Sequence, residues 1–402
     1  MDLILVLNCG SASVKFALFA SDSQGTDALC EGMASRVNEP GQGHLRWRSG
    51  ERHHDQPLPG SGDHRQAIAS IAAQLREQGW LGRVQAVGHR VVHGGDQFRA
   101  PALVTPAVEA AIEHFGAYAP LHNPVNLLGI RLCQQHLPGI PQVAVFDTAF
   151  HSTLPPEAYH YAVPEAWHRD WGVRRYGFHG INHHYISKRL PVLLQQPVDQ
   201  VRAVSAHLGN GCSLCAIKGA ISVDTSMGFT PLEGLMMGSR CGDLDPGLHE
   251  YLCDRLNIDI RTLTGLLNKE AGLKGVSGVG SDMRQCLQAA DDGHPQAQLA
   301  VELFCYRLAK HIAGYIVPLG AIDTIVFTAG IGEHAAPIRA RVITLLHGLG
   351  FRLDHDANQQ PASHDRNIAV PGTPPILVIP AREEWLIARQ SALLLETQGA
   401  HP

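Results

Sequence analysis

Apolar and polar positions along this chain switch repeatedly between runs typical of buried strands and spacings typical of helices. Residues 3–7 and 14–19 are two mainly apolar runs that predict paired strands, joined by the small polar turn Asn8-Cys9-Gly10-Ser11-Ala12-Ser13. Residues 38–62 shift to Gly, Pro, His and Arg, and predict a surface hairpin around Leu45-Arg46-Trp47-Arg48 followed by a loop. Asp63 with Gln66 makes a capping box, and Ile68, Ile71, Ala72 and Leu75 then recur at helical spacing. Residues 84–92 predict a strand that ends at His89-Arg90-Val91-Val92-His93-Gly94-Gly95. Thr105-Pro106 is a helix start, and that helix runs to about Phe115, before Ala119-Pro120-Leu121-His122-Asn123-Pro124. Residues 142–146 form a short buried strand that delivers Asp147 at its end.

The second half repeats the plan. Residues 201–208 and 212–217 predict two strands around the turn Gly209-Asn210-Gly211. A long helix is expected over 296–317, and the strand 324–328 leads into a third glycine turn at 330–332. A strand over 376–379 follows, and Glu383 opens a last helix reaching about Glu396. Alternating strands and helices predict an α/β protein with covered sheets. At 402 residues the chain exceeds one ordinary core, so the repeated plan predicts two similar domains facing each other across a cleft.

Composition narrows the function classes. Hydrophobic residues make up 45% and charged residues 17%, as in globular proteins, and the net charge of -5 is spread along the chain. No basic cluster suggests a nucleic-acid partner. Nine cysteines without a repeating framework fit a reducing compartment. Residues 1–7 lack a basic leader and read as a strand rather than a signal peptide. The longest apolar stretch, 312–322, is broken by Gly314, Pro318 and Gly320 and falls short of the ~20 residues a membrane span needs. A cytoplasmic protein with no membrane partner is expected.

The candidate chemistry lies in the glycine-rich segments. The turns at 8–13 and 207–213 are either ordinary hairpins or backbone nests for phosphate, with Ser11, Ser13 and Lys15 beside the first. There is no Gly-Lys-Ser/Thr run of the P-loop kind. Arg90 and Arg240 both stand among glycines, where two guanidinium groups can grip a small anion from two sides. Asp147 either caps the next turn or orients an acceptor, and His179 is either a core histidine or a donor to a transferring phosphoryl group. Glu383 and Glu384 suit a helix start, and also a Mg²⁺ that keeps most of its waters. Cys212-Ser213-Leu214-Cys215 reads as packing, and His53-His54 and His183-His184 are insufficient for a metal site. These features together point to phosphoryl transfer onto a small carboxylate.

At this level of detail the chain resembles the acetate kinases, within the acetate and sugar kinase/heat-shock chaperone/actin superfamily. The resemblance runs almost end to end. It rests on Leu5 to Ser11, His89 to Gly95, Leu121-His122-Asn123-Pro124, Phe146 to His151, Arg175 to Gly180 and His207 to Ser213. Three later runs extend it: Asp224 to Gly234, the segment around Arg240, and Gly330-Ile331-Gly332-Glu333. It implies two ribonuclease H-like α/β domains with a ligand cleft between them, over 1–150 and 151–383, the helix from about 384 packing back on the first. It implies ATP, acetate and Mg²⁺, with Mn²⁺ as a substitute, and a homodimer.

Residue by residue, the resemblance places Arg90 and Arg240 on the acetate and phosphoryl group, His179 on the transferring phosphoryl and Asp147 beside the acid. Val92, Leu121 and Pro231 would wall a methyl pocket, and Asn8 and Glu383 would serve the metal. Ser11, Ser13, Lys15, His207, Leu208, Gly209, Asn210 and Gly211 would meet nucleotide phosphates. Asp282, Met283, Arg284, Gly330, Ile331, Gly332, Glu333 and His334 would form the adenosine pocket. The chain departs from the family pattern at Ser239 and Cys241 flanking Arg240, at Ile181-Asn182, at His334 and at Ala381-Arg382. A propionate or other short-chain acyl kinase is the nearest alternative, and a nucleotide-dependent scaffold of the same superfamily a remote one.

Overall fold

The computed structural model describes residues 2–22, 25–361 and 364–399. It divides into two compact units, residues 1–150 with 382–402, and residues 151–381. The first unit is built on eight strands: β1 (Leu3–Gly10), β2 (Ser13–Ala20), β3 (Cys30–Ser35), β4 (His44–Ser49), β5 (Arg52–Pro57), β6 (Val84–Val91), β7 (Ala102–Leu103) and β8 (Gln142–Phe146). Their order in the sheet is β5-β4-β3-β2-β1-β6-β8-β7. The second unit has β9 (Arg202–Leu208), β10 (Cys212–Lys218), β11 (Ile221–Thr225), β12 (Thr324–Thr328), β13 (Arg366–Asn367) and β14 (Ile376–Val378), in the order β11-β10-β9-β12-β14-β13.

The two sheets share one plan. In the first, β3, β2 and β1 run antiparallel, and β1, β6 and β8 run parallel. In the second, β11, β10 and β9 run antiparallel, and β9, β12 and β14 run parallel. This five-strand core is the ribonuclease H-like arrangement expected from the sequence. The parallel strands are buried on both faces, which explains the unbroken apolar runs of β8 and β12. Ligands of such open sheets gather beyond the carboxyl ends of the parallel strands. Arg90, Asp147, Gly209 and Ala329 all stand at those ends.

Glycine lets helices close on both faces of the first sheet. The helix Asn123–His136, which the apolar spacing did not single out, crosses β1 at Gly129, where any Cβ would overlap Cys9 Sγ. On the opposite face lies the helix Glu383–Gly399. It approaches β6 at Gly88, where a Cβ would stand 2.7 Å from Ile387 and 2.6 Å from Ser391 Oγ. Glu383 therefore belongs to the first unit, not to the end of the second. Gly88→Ala is expected to cost about 1–3 kcal/mol by overpacking, measured by chemical denaturation.

Several elements follow the sequence closely. The helix His64–Glu77 carries the full capping box between Asp63 and Gln66, and Thr105 caps Pro106–His114. The expected surface hairpin instead extends the sheet as β4 and β5, with Leu45 and Trp47 buried. The expected third glycine turn is a helix, Ala329–His334. Ala329 takes a left-handed φ of 63° and so turns the chain sharply after β12, and Gly332 then packs against the Phe327 backbone, 3.2 Å from where its Cβ would stand. The predicted long helix ends at Gly314, before a short turn of helix at Ile316–Leu319.

Candidate active site

In the second unit three distant segments meet at Gly211. A Cβ there would lie 3.5 Å from Arg240 Nη1 and 3.5 Å from His179 Nε2, so both side chains border one loop. The loop Gly209–Gly211 is closed by Gly209 N donating to Gly211 O at 3.0 Å. Gly238 N donates to Asn210 O at 2.9 Å, which docks the Arg240 segment onto it. His179 has a left-handed φ of 55°, a conformation that costs a non-glycine residue energy and is concentrated at functional sites. Its ring stacks on His207 with centroids 4.0 Å apart.

Arg240 is unusual in its electrostatics. Its guanidinium donates to Pro231 O at 3.2 Å and approaches Met237 Sδ at 3.8 Å, and no acid pairs with it among the described residues. Burial pushes its pKa below the ordinary arginine value, with only a small opposing effect from Cys212. A guanidinium so placed remains charged and lacks a counter-anion. Arg174 and Arg175, by contrast, are structural: Arg174 lies over the Tyr159 ring at 3.7 Å, and Arg175 pairs with Glu233 at 2.6 Å. Arg175 also donates to the carbonyls of Thr225, Ser226 and Met227, which fixes the loop that carries Pro231.

A cavity of about 650 Å³ in the first unit and one of about 620 Å³ in the second are the two large hollows of interest. The second is lined by Gly209, Asn210, Asp282, Met283, Arg284, Gly330, Ile331 and His334, all expected at a nucleotide, and also by Ser281, Leu287, Ala335 and Pro337. Asp282 caps the helix Met283–Asp291 and pairs with Arg284 at 2.6 Å. Three further residues expected at the nucleotide also make contacts within the protein. Leu208 is fully buried, Gly332 packs on β12, and Glu333 accepts from Ala381 N at 2.9 Å. Arg339, buried and missed in the sequence, fastens the glycine helix by donating to Gly332 O and Glu333 O at 2.8 and 2.9 Å.

The first unit gathers Arg90, Asp147, Glu383 and Lys15. Arg90 Nη2 donates to the fully buried Asp147 carboxylate at 2.5 Å, leaving Asp147 Oδ1 and Arg90 Nε without protein partners among the described residues. Burial disfavours charge on Arg90, but Asp147, Glu383 and Glu384 outweigh it and hold the group protonated. Burial raises the Glu383 pKa to about 7; Arg90 and Lys15 oppose the shift while Asp147 and Glu384 add to it. Asn8 and Lys15 are cross-strand neighbours in the β1–β2 hairpin, and His64 Nε2 lies 2.8 Å from Gly10 O at its turn. Ser11 and Lys15 are exposed, and Ser13 is half-buried.

The segment after β6 is held by Asn126, which the sequence did not single out, and by Asn123 of the Leu121-His122-Asn123-Pro124 run. Asn126 accepts from Val92 N at 3.1 Å and donates to Cys9 O at 2.9 Å. Asn123 accepts from His93 N at 3.0 Å and donates back to His93 O at 2.9 Å. Asn123 is thus the member of the Leu121-His122-Asn123-Pro124 run that fastens this segment; Val92 is buried and Leu121 is exposed. The 650 Å³ groove over β2–β5 is edged by Lys15 and Glu384, but its arginines are already paired, Arg46 with Asp55 and Arg48 with Glu31.

Comparison with known proteins supplies the family. The family model described as the Acetokinase family matches residues 3–389. An acetate kinase of Deinococcus radiodurans is 48% identical, over 98% of each chain. A solved propionate kinase from Francisella tularensis superposes with a TM-score of 0.92 at 40% identity, covering 97% of this chain and 99% of its own. Porphyromonas gingivalis acetate kinase gives 0.90 at 37% identity, covering 98% and 100%. With the model matched nearly end to end, and His179, Arg240, Arg90 and Asp147 placed as described, the chain belongs to the acetokinase family.

Proposed function

We propose that this chain transfers the γ-phosphoryl group of ATP reversibly to acetate, giving acetyl phosphate and ADP. The observation that carries the reading is the unpaired Arg240 guanidinium facing His179 across Gly211, beside the glycine-edged cavity. Donor and acceptor are both anions, so alignment and charge neutralisation are the main catalytic tasks. Arg240 and His179 of the second unit would neutralise the transferring phosphoryl oxygens, and Arg90, oriented by Asp147, would hold the acid. The carboxylate oxygen then attacks phosphorus in line while the bond to the ADP oxygen breaks.

Mg²⁺ fits the residues present. The Asp147 oxygen without a protein partner and the buried Glu383 carboxyl form an acidic site that suits a hard cation keeping several waters. Asn8 and Glu383 would hold it, and the ion would neutralise phosphate charge. The Glu383 pKa of about 7 gives a signed expectation. Ions bind the ionised carboxylate, so Mg²⁺ affinity falls as pH drops below about 7, by about tenfold per unit. Glu383→Gln weakens binding and flattens this dependence, as read from Mg²⁺ activation curves at several pH values.

The methyl pocket would be formed by Val92, Leu121 and Pro231. A methylene changes such binding by about 1–3 kcal/mol. Val92→Ala is therefore expected to raise the propionate/acetate ratio of kcat/KM, and an unchanged ratio removes Val92 from the pocket. The structural likeness to a propionate kinase makes this ratio the measurement that assigns the acid. A homodimer is supported by exposed apolar side chains on second-unit helices, among them Trp171, Tyr251 and Ile260. A cytoplasmic site is supported by nine unpaired cysteines, and no described helix is long and apolar enough to cross a membrane. The proposal is tested by carboxylate-dependent ADP formation across formate, acetate, propionate and butyrate; ADP formation independent of any acid would refute it.

A further inference from the structure

Behind His179 a line of hydroxyl and imidazole groups runs into the core of the second unit, and the proposed transfer leaves it unused. His179 Nδ1 is 2.9 Å from Ser213 Oγ. Ser213 Oγ is 2.9 Å from His183 Nε2, and His183 Nδ1 is 2.9 Å from Ser205 Oγ. Ser205, Ser213 and His183 are fully buried. His183 reaches the line because it stands four residues after His179, one turn along the helix Gly180–Leu194 that His179 caps.

Proton counting limits how this line can run. Ser213 has one O–H, so it donates to one imidazole and accepts from the other. His183 is neutral, since burial takes its pKa well below the usual histidine value and His151 and His207 push the same way. A neutral imidazole likewise has one donor and one acceptor nitrogen. Only two directions remain. In the first, Ser205 O–H donates to His183 Nδ1, His183 Nε2–H donates to Ser213, and Ser213 O–H donates to His179 Nδ1. In the second every bond is reversed, and the Ser205 hydroxyl proton faces the core with no acceptor, because Ser205 Oγ has no other hydrogen-bond partner among the described residues. A buried donor left unsatisfied is costlier than a lone pair left unused, so the first direction is favoured.

We infer that Ser205, His183 and Ser213 form a one-way hydrogen-bond line that fixes His179 as an Nε2–H donor toward Gly211 and Arg240. The inference rests on the proposed role of His179 at the phosphoryl group. The three residues are positioning residues: the opposite tautomer would turn a lone pair, instead of a proton, toward an anionic oxygen. Ser205 is the informative member, being two groups removed from His179.

Histidine-selective ¹⁵N NMR of the wild-type protein, assigned with His179→Gln and His183→Gln, reads the tautomers without relying on turnover. The expected result is Nε2–H on both rings; Nδ1–H on His183 overturns the inference. Kinetics give a second test. Ser205→Ala and Ser213→Ala should each lower kcat by about tenfold with KM for ATP and acetate unchanged, and the double variant should be no slower than the slower single one. Wild-type kcat in Ser205→Ala, or losses that multiply in the double variant, overturns it. If His179→Gln keeps full activity, the transfer role of His179 fails, while the tautomer measurement still decides the line.

Discussion

Replacing Arg240 by alanine is expected to lower kcat/KM for the carboxylate by about a thousandfold without lowering the melting temperature. The two halves of this expectation have one cause. Arg240 is largely withdrawn from water, makes one long hydrogen bond to a carbonyl, and has no acid to balance it among the described residues. Unliganded, that charge is a cost to the fold; with an anionic phosphoryl group in place it is the strongest donor available. Removing it therefore takes away stabilisation made in the transition state and relieves a desolvated charge in the free protein. Steady-state kinetics alongside calorimetry would check both, and a destabilised variant that kept its activity would show Arg240 to be structural.

Arg90→Ala is expected to behave differently, losing activity by about a hundredfold or more and also losing stability. Its partner Asp147 has no exposed side-chain surface, whereas Arg90 retains 20%. Removing one member of a buried pair leaves an uncompensated charge, at a cost of about 3–5 kcal/mol. Neutralising that charge should reverse the stability effect alone. The double variant Arg90→Ala/Asp147→Asn should recover most of the stability in urea and none of the activity. Recovery of activity in the double variant would show that Arg90 serves only to balance Asp147.

The contrast between the two arginines marks how far the sequence could be read. Local chemistry was legible: strand runs, the Asp63 capping box, the Thr105-Pro106 start and the placement of Asp147 after β8 all depend on neighbours within a few residues. The two-domain plan was legible because a hairpin recurs in each half, and its ribonuclease H-like form followed from the family resemblance. Long-range convergence was not. Gly211, His179 and Arg240 meet from three segments separated by tens of residues, and no spacing rule predicts that meeting. The same holds for Asn126 beneath Val92 and for Arg339 beneath the glycine helix, both apt to pass as ordinary polar helix residues. Gly330–Gly332 misled in the other direction, since the segment is helical and Gly332 permits close packing on β12 where a turn was expected. His183 was set aside as half of an incomplete metal pair; its one-turn spacing from His179 was the signal that places it behind the site.

In the proposed reaction a small carboxylate accepts a phosphoryl group from ATP, with Arg240 an essential participant. Its most direct test traps acyl phosphate with hydroxylamine in reactions containing ATP, Mg²⁺ and acetate, with wild-type protein and Arg240→Ala side by side. Acetyl hydroxamate is expected from the wild type, with a loss of about a thousandfold in the variant. The absence of acyl hydroxamate from the wild-type protein with either acetate or propionate would contradict it.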